Sequence, residues 1–113
     1  MKVSQASDVY SFGVVLLELL CGKPSMYTGK YGKVSKLVNW VASTLRSEWT
    51  LEVIDAELWR YPDMQWAMVK LLQIALICVE SVPEHRLKMP EVVKMLEDIS
   101  GTYTEADRPL EQS

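Results

Sequence analysis

A chain of 113 residues, 49% hydrophobic and 24% charged, is long enough for one domain around one core and too apolar to be disordered. Its formal charge of −3 is unevenly placed: residues 1–46 carry six Lys/Arg against Asp8 and Glu18, and residues 47–113 carry six against thirteen Asp/Glu. That distribution excludes the basic footprint of a general nucleic-acid binder. Cys21 and Cys78 sit inside apolar helical patterns without zinc-type spacing, so two buried, reduced thiols in a reducing compartment are expected, and no metal. The N-terminus MKVSQASD has no apolar run directly behind its charge, so no signal peptide is expected.

The first element is SDVYSFGVVLLELLCGKP, residues 7–24. From Val9 to Cys21 ten of thirteen residues are apolar, short of the roughly 20 that cross a bilayer. Glu18 would also be costly at that depth, so the reading is a buried soluble helix from about Ala6 to Cys21. Ser4, Ser7 and Asp8 supply capping chemistry before it, and Gly22, Lys23 and Pro24 supply the stop. MYTGKYGKVSK reads as an exposed loop; its glycines and lysines lack the spacing of a phosphate-binding loop.

LVNWVASTLRSEW places Leu37, Trp40, Val41 and Leu45 at helical spacing, which predicts a short amphipathic helix with Trp40 in the core. EWTLEVIDAELWRYPDM, with Val53, Ile54 and Leu58 among acids, reads as irregular chain with one helical turn. From about Asp63 to Ser81 the stripe Met68, Leu71, Leu72, Ala75 and Val79, widened by Leu76 and Ile77, predicts a second core helix. Pro90 opens a last helix with Val92, Val93, Met95, Leu96 and Ile99 facing inward. The stretch 101–113, GTYTEADRPLEQS, is expected to be a loose polar tail behind a domain spanning residues 1–100.

Catalysis needs complementary groups converging on a cleft. The single histidine, His85, stands beside Arg86 in a polar turn, which fits a surface residue. Asp8 and Glu18 are ten residues apart on one helix, about 15 Å, too far to act as a carboxylate pair on one bond. Composition and periodicity thus yield a mostly α domain without an evident active site.

SDVYSFGVVLLELLCGKP resembles the helix that follows the activation loop in protein kinases, opened by Asp-Val-Tyr/Trp-Ser-Phe/Leu-Gly and closed by Gly-Lys-x-Pro. QIALICVESVPEHRLKMPEVVKMLEDI resembles the end of the kinase large lobe in plant receptor-like kinases, with its acidic-x-Arg-Pro-x-Met turn and last helix. LVNWVASTLRSEWTLEVIDAEL is similar to plant leucine-rich-repeat receptor-like kinases, particularly a subgroup in which many members are regarded as pseudokinases. The likeness covers about residues 3–100 and implies the helical distal half of a kinase C-lobe, about four helices with irregular loops.

By that resemblance, Asp8 matches the aspartate that hydrogen-bonds the catalytic-loop backbone, and Val15 and Leu19 match positions supporting a hydrophobic spine. Glu18 matches a glutamate that pairs a substrate arginine in some basophilic kinases, with a purely scaffolding role as the competing reading. Arg86 matches the arginine that forms a buried ion pair with the glutamate of Ala-Pro-Glu; Leu87 departs from the proline usual there. The Gly-rich loop, strand lysine, catalytic-loop aspartate and asparagine, and the Mg²⁺-binding aspartate before Phe-Gly are not in the sequence. No activity is therefore expected from these residues alone; ATP and Mg²⁺ belong to an active full-length parent.

The implied partners are the remainder of a kinase domain and proteins of receptor-kinase signalling, with no nucleic acid and no direct membrane insertion. The implied place is the cytosolic side of a plasma-membrane receptor. Separation from Ala-Pro-Glu and the catalytic loop is expected to strain the domain by roughly 3–5 kcal/mol for a broken buried charge pair, and to leave an apolar patch near Asp8. The alternative is a stand-alone helical interaction module, such as a decoy competing for a receptor kinase's partners.

Overall fold

A computed structural model of the chain describes residues 5–28, 34–47 and 51–107. Helix α1 runs Gln5–Cys21, strands β1 Met26–Thr28 and β2 Val34–Lys36 follow, then α2 Leu37–Ser47. A 3₁₀ turn at Leu51–Val53 leads to the single-turn α3, Ala56–Trp59, and to α4, Pro62–Cys78. A second 3₁₀ turn, Pro83–His85, precedes α5, Met89–Asp107. The mainly helical architecture is the expected one.

Helix α1 lies along α4, and the spacing between them is set by Gly13. A β-carbon there would stand 2.7 Å from both Cys78 Cβ and Val79 Cγ1 and 3.1 Å from the Ala75 carbonyl, so the absence of a side chain is what lets the two backbones approach. Helix α1 ends because Gly22 adopts φ 67°, with its N–H donating to the Glu18 carbonyl at 2.9 Å. A side chain at Gly22 would also run into the Asp55 carboxylate. Asp55 is stitched there by its own N–H donating to the Leu20 carbonyl at 2.8 Å, and its carboxylate accepts from Glu57 N–H at 3.0 Å, capping α3.

Two apolar clusters fill the interior. The larger joins Leu17, Leu20 and Cys21 of α1, Leu37 and Val41 of α2, Val53 and Ile54, and Met68, Leu72, Ala75 and Val79 around α4. The smaller is built from Val9, Ile74, Cys78 and Val92, with Phe12, Leu16, Leu87 and the inner face of α5 against it. Among the described residues no polar or charged side chain is buried.

Several expectations need correction. The stretch read as one exposed loop has its flanks paired as an antiparallel ribbon, Met26 opposite Lys36 and Thr28 opposite Val34; residues 29–33, including Gly29 and Gly32, lie outside the described part. Three-residue strands carry too few alternations to be seen in a sequence. Ser4 likewise falls outside the described residues. Ile77 and Val93, expected inward, are 37% and 46% exposed, because each stands at the margin of a stripe that its neighbours already fill.

Helix α5 continues past Gly101 to Asp107, through the first half of the expected loose tail; residues 108–113 are outside the described part. A single glycine costs a helix only about 1 kcal/mol, and the first strong stop is Pro109. The helix is anchored at its start, where Lys88 N–H donates to Glu91 Oε1 at 2.9 Å, half of a capping box.

Candidate functional site

The face of α1 turned away from the core carries Asp8, Ser11, Val15 and Leu19, spaced three, four and four residues apart and all exposed. Val15 is 51% and Leu19 66% exposed, so two large apolar side chains stand in line on a helix whose other side is fully packed. An exposed apolar pair thus stands on the face of α1 that also carries Asp8, two to three turns further along the helix. Asp8 itself sits in the first helical turn, where its charge suits the helix dipole, and its side chain makes no hydrogen bond or ion pair with a described residue.

Arg86 extends from the turn before α5 back to the start of α1. Its Nε donates to the Glu80 carbonyl at 2.6 Å, Nη1 to the Ala6 carbonyl at 3.1 Å and Nη2 reaches the Ser81 carbonyl at 3.5 Å. The guanidinium carbon also stands 4.8 Å from the centre of the Tyr10 ring. The residue is half-buried, and carbonyl oxygens and an aromatic face surround it; the Ala-Pro-Glu glutamate that the resemblance gives it as a partner is not in this sequence. Leu87, at the position where proline was anticipated, packs against the smaller cluster.

Glu18 is half-buried and its Oε2 accepts from Ser25 N–H at 3.1 Å, while the Ser25 carbonyl accepts from Leu37 N–H at 2.7 Å. One carboxylate thus fixes the turn after α1 to the entry of α2, which favours its scaffolding role over a substrate contact. Lys23 lies 5.2 Å from the centre of the Trp40 ring, closing the same corner. Burial pushes the Cys21 thiol up to about 11 against the opposing effect of Lys23, and it raises Cys78 too; both are free thiols.

Asp8, Val15 and Leu19 share one surface, Glu18 points to another, and Arg86 clasps the end of α1. Sequence reasoning missed Gly13, Tyr10 and Asp55 as positioning residues. Only Gly13 left a signal, as a small residue in an otherwise bulky helix. It also missed a groove of about 260 Å³ between α4 and α5, floored by Ile74, Met95 and Ile99 and rimmed by Trp66, Lys70 and Asp98. Among the described residues no three His, Cys, Asp or Glu side chains converge as metal ligands, and no helix is long and apolar enough to cross a membrane.

The family model for protein tyrosine and serine/threonine kinases matches residues 1–96. The chain belongs to the protein kinase family. A probable leucine-rich repeat receptor-like protein kinase of Arabidopsis thaliana is 54% identical over 107 residues, covering 93% of this chain and 16% of that protein. A probable inactive receptor kinase of the same plant is 48% identical over 103 residues, covering 91% of this chain and 16% of the relative. Among solved structures, the pseudokinase domain of BIR2, an immune regulator of the RLK/Pelle family, superposes with a TM-score of 0.74 at 32% identity, over 95% of this chain and 33% of that one. The chain therefore represents a kinase-domain region homologous to plant receptor-like kinases and pseudokinases, and it spans about one-sixth of the length of those two receptor kinases.

Proposed function

We propose that this chain is the helical, distal part of the large lobe of a plant receptor-like Ser/Thr kinase or pseudokinase, and that it scaffolds the catalytic half of that domain. The observation that carries the reading is the open face of α1: Val15 and Leu19 are 51% and 66% exposed in line with Asp8, a carboxylate without a described partner. An apolar stripe ending in a free acceptor suits a backbone loop that brings both apolar side chains and N–H donors. In the parent, Asp8 would take those donors and Val15 and Leu19 would support the spine. Glu18 would hold the lobe's own corner.

ATP and Mg²⁺ would supply phosphoryl transfer in an active parent, but the residues present do not fit them. The dispersed acids here make no metal-ligand group among the described residues, and the phosphate-binding motifs are not in the sequence. No step of transfer is assigned to this chain. The parent's place would be at the membrane, with this part on the cytosolic side and signalling proteins as partners.

The test is a graft. Replacing the matching segment of the 54% identical Arabidopsis kinase domain with residues 1–100 should give a folded, monomeric domain in which cysteines placed at Val15 and Leu19 are protected from thiol reagents. A chimera that folds with both positions still labelling freely refutes the docking role.

A second reading, a self-sufficient interaction module, is favoured by the manner in which Arg86 is satisfied by carbonyls and Tyr10 within the chain. Its signature is a cooperative melt of the purified chain without ANS binding. A broad melt with dye binding rejects it.

A further inference from the structure

The bend between α4 and the second 3₁₀ turn holds an exposed serine that neither scaffolding reading uses. Ser81 follows the Val79 cap of α4 and precedes Val82, the cap residue of the 3₁₀ turn, which makes no side-chain capping bond. The Ser81 hydroxyl has no described hydrogen-bond partner, and exposed Glu80 and Glu84 stand one residue before and three residues after it. Arg86 turns its Nε and Nη2 edge to this bend, reaching the Glu80 and Ser81 carbonyls at 2.6 and 3.5 Å, while Nη1 holds Ala6.

We propose that Ser81 is a phosphorylation site for an acid-directed serine kinase acting in trans, and that Arg86 receives the phosphate. The exposed bend offers the hydroxyl, and Glu84 supplies the acidic residue at the third position after it that such kinases read. In the transfer the γ-phosphorus of ATP forms a bond to Ser81 Oγ and breaks its bond to the bridging oxygen of ADP, and the hydroxyl proton passes to the acting kinase. The product carries close to two negative charges beside a planar donor edge that now serves neutral carbonyls. Because Nη1 lies on another edge, its bond to Ala6 survives, and the phosphate ties the bend more firmly to the start of α1.

The experiment incubates the full chain with Mg-ATP and an acid-directed serine kinase, maps the phosphate by mass spectrometry, and titrates it by ³¹P NMR, folded and in urea. Incorporation at Ser81, lost in Ser81→Ala, is expected. So is a second phosphate pKa at least about half a unit lower in the folded chain than in urea, where it lies near 6. Glu80 and Glu84 push that value the other way, so a decrease reports a cation; Arg86→Gln should erase it and His85→Gln should keep it. An unmodified Ser81 overturns the site. Equal values folded and unfolded in the wild-type chain overturn Arg86 as the receiver even where Arg86→Gln fails to fold, and so does a decrease that His85→Gln removes.

Discussion

Replacing Gly13 by alanine measures how closely α1 and α4 approach. The new β-carbon would lie 2.7 Å from Cys78 Cβ and from Val79 Cγ1, at least 0.7 Å short of the 3.4 Å at which ordinary contact begins. Both are close to the α4 backbone, so relief requires the helices to separate. Overpacking of this kind costs about 1–3 kcal/mol. Alanine also favours the helix by about 1 kcal/mol over glycine. Gly101→Ala in α5 carries the same helical gain, and its β-carbon meets nothing within 4 Å. The difference between the two variants therefore isolates the steric term: Gly13→Ala should fall about 1–3 kcal/mol below Gly101→Ala in urea unfolding, and Gly101→Ala should exceed the parent chain. Two variants shifted equally would refute the close approach, and a neutral or harmful Gly101→Ala would refute the extension of α5 to Asp107.

Three other outcomes are expected. Asp55→Ala removes the α3 cap and should cost about 1 kcal/mol, with Asp55→Asn recovering most of it, as read by thermal unfolding. The Cys21 thiol, raised from 9.0 to about 11, ionises later folded than unfolded; its contribution to stability should be whole below pH 9 and decline as pH rises toward 11, and its labelling should be slow at pH 8 until urea is added. Leu19→Ser and Val15→Ser should lower the stability of this chain by no more than about 1 kcal/mol, since half or more of each residue is already exposed, while lowering ANS binding; a loss above about 2 kcal/mol would mean the face is covered.

The helices were legible because their signals are periodic. Met68, Leu72, Ala75 and Val79 repeat along α4 strongly enough to place its buried side, and the Gly22 stop ends α1 at the expected residue. The β ribbon was not legible, since three residues a strand give no period. The site was half legible. Asp8, Val15 and Leu19 became a group only through family resemblance, because the exposure of Val15 and Leu19 contradicts what their apolarity says about a helix in the core. The resemblance gives Arg86 a carboxylate partner that this sequence does not contain, and its partners within the described residues, carbonyls of Glu80 and Ala6 and the ring of Tyr10, leave no pattern in a sequence because backbone acceptors exist at every residue. Ser25 was invisible for that reason too: it joins Glu18 and Leu37 through its backbone N–H and C=O.

The seat of Gly13 against Cys78 also sets a timetable. Helix α1 ends at Cys21, 57 positions before Cys78, so a ribosome adding about 5–20 residues per second finishes the first helix roughly 3–11 s before its packing partner exists. During that interval Leu17, Leu20 and Val9, buried in the finished fold, lack the helix they pack against. The segment that organises the finished core thus spends seconds of each synthesis without the helix that covers it.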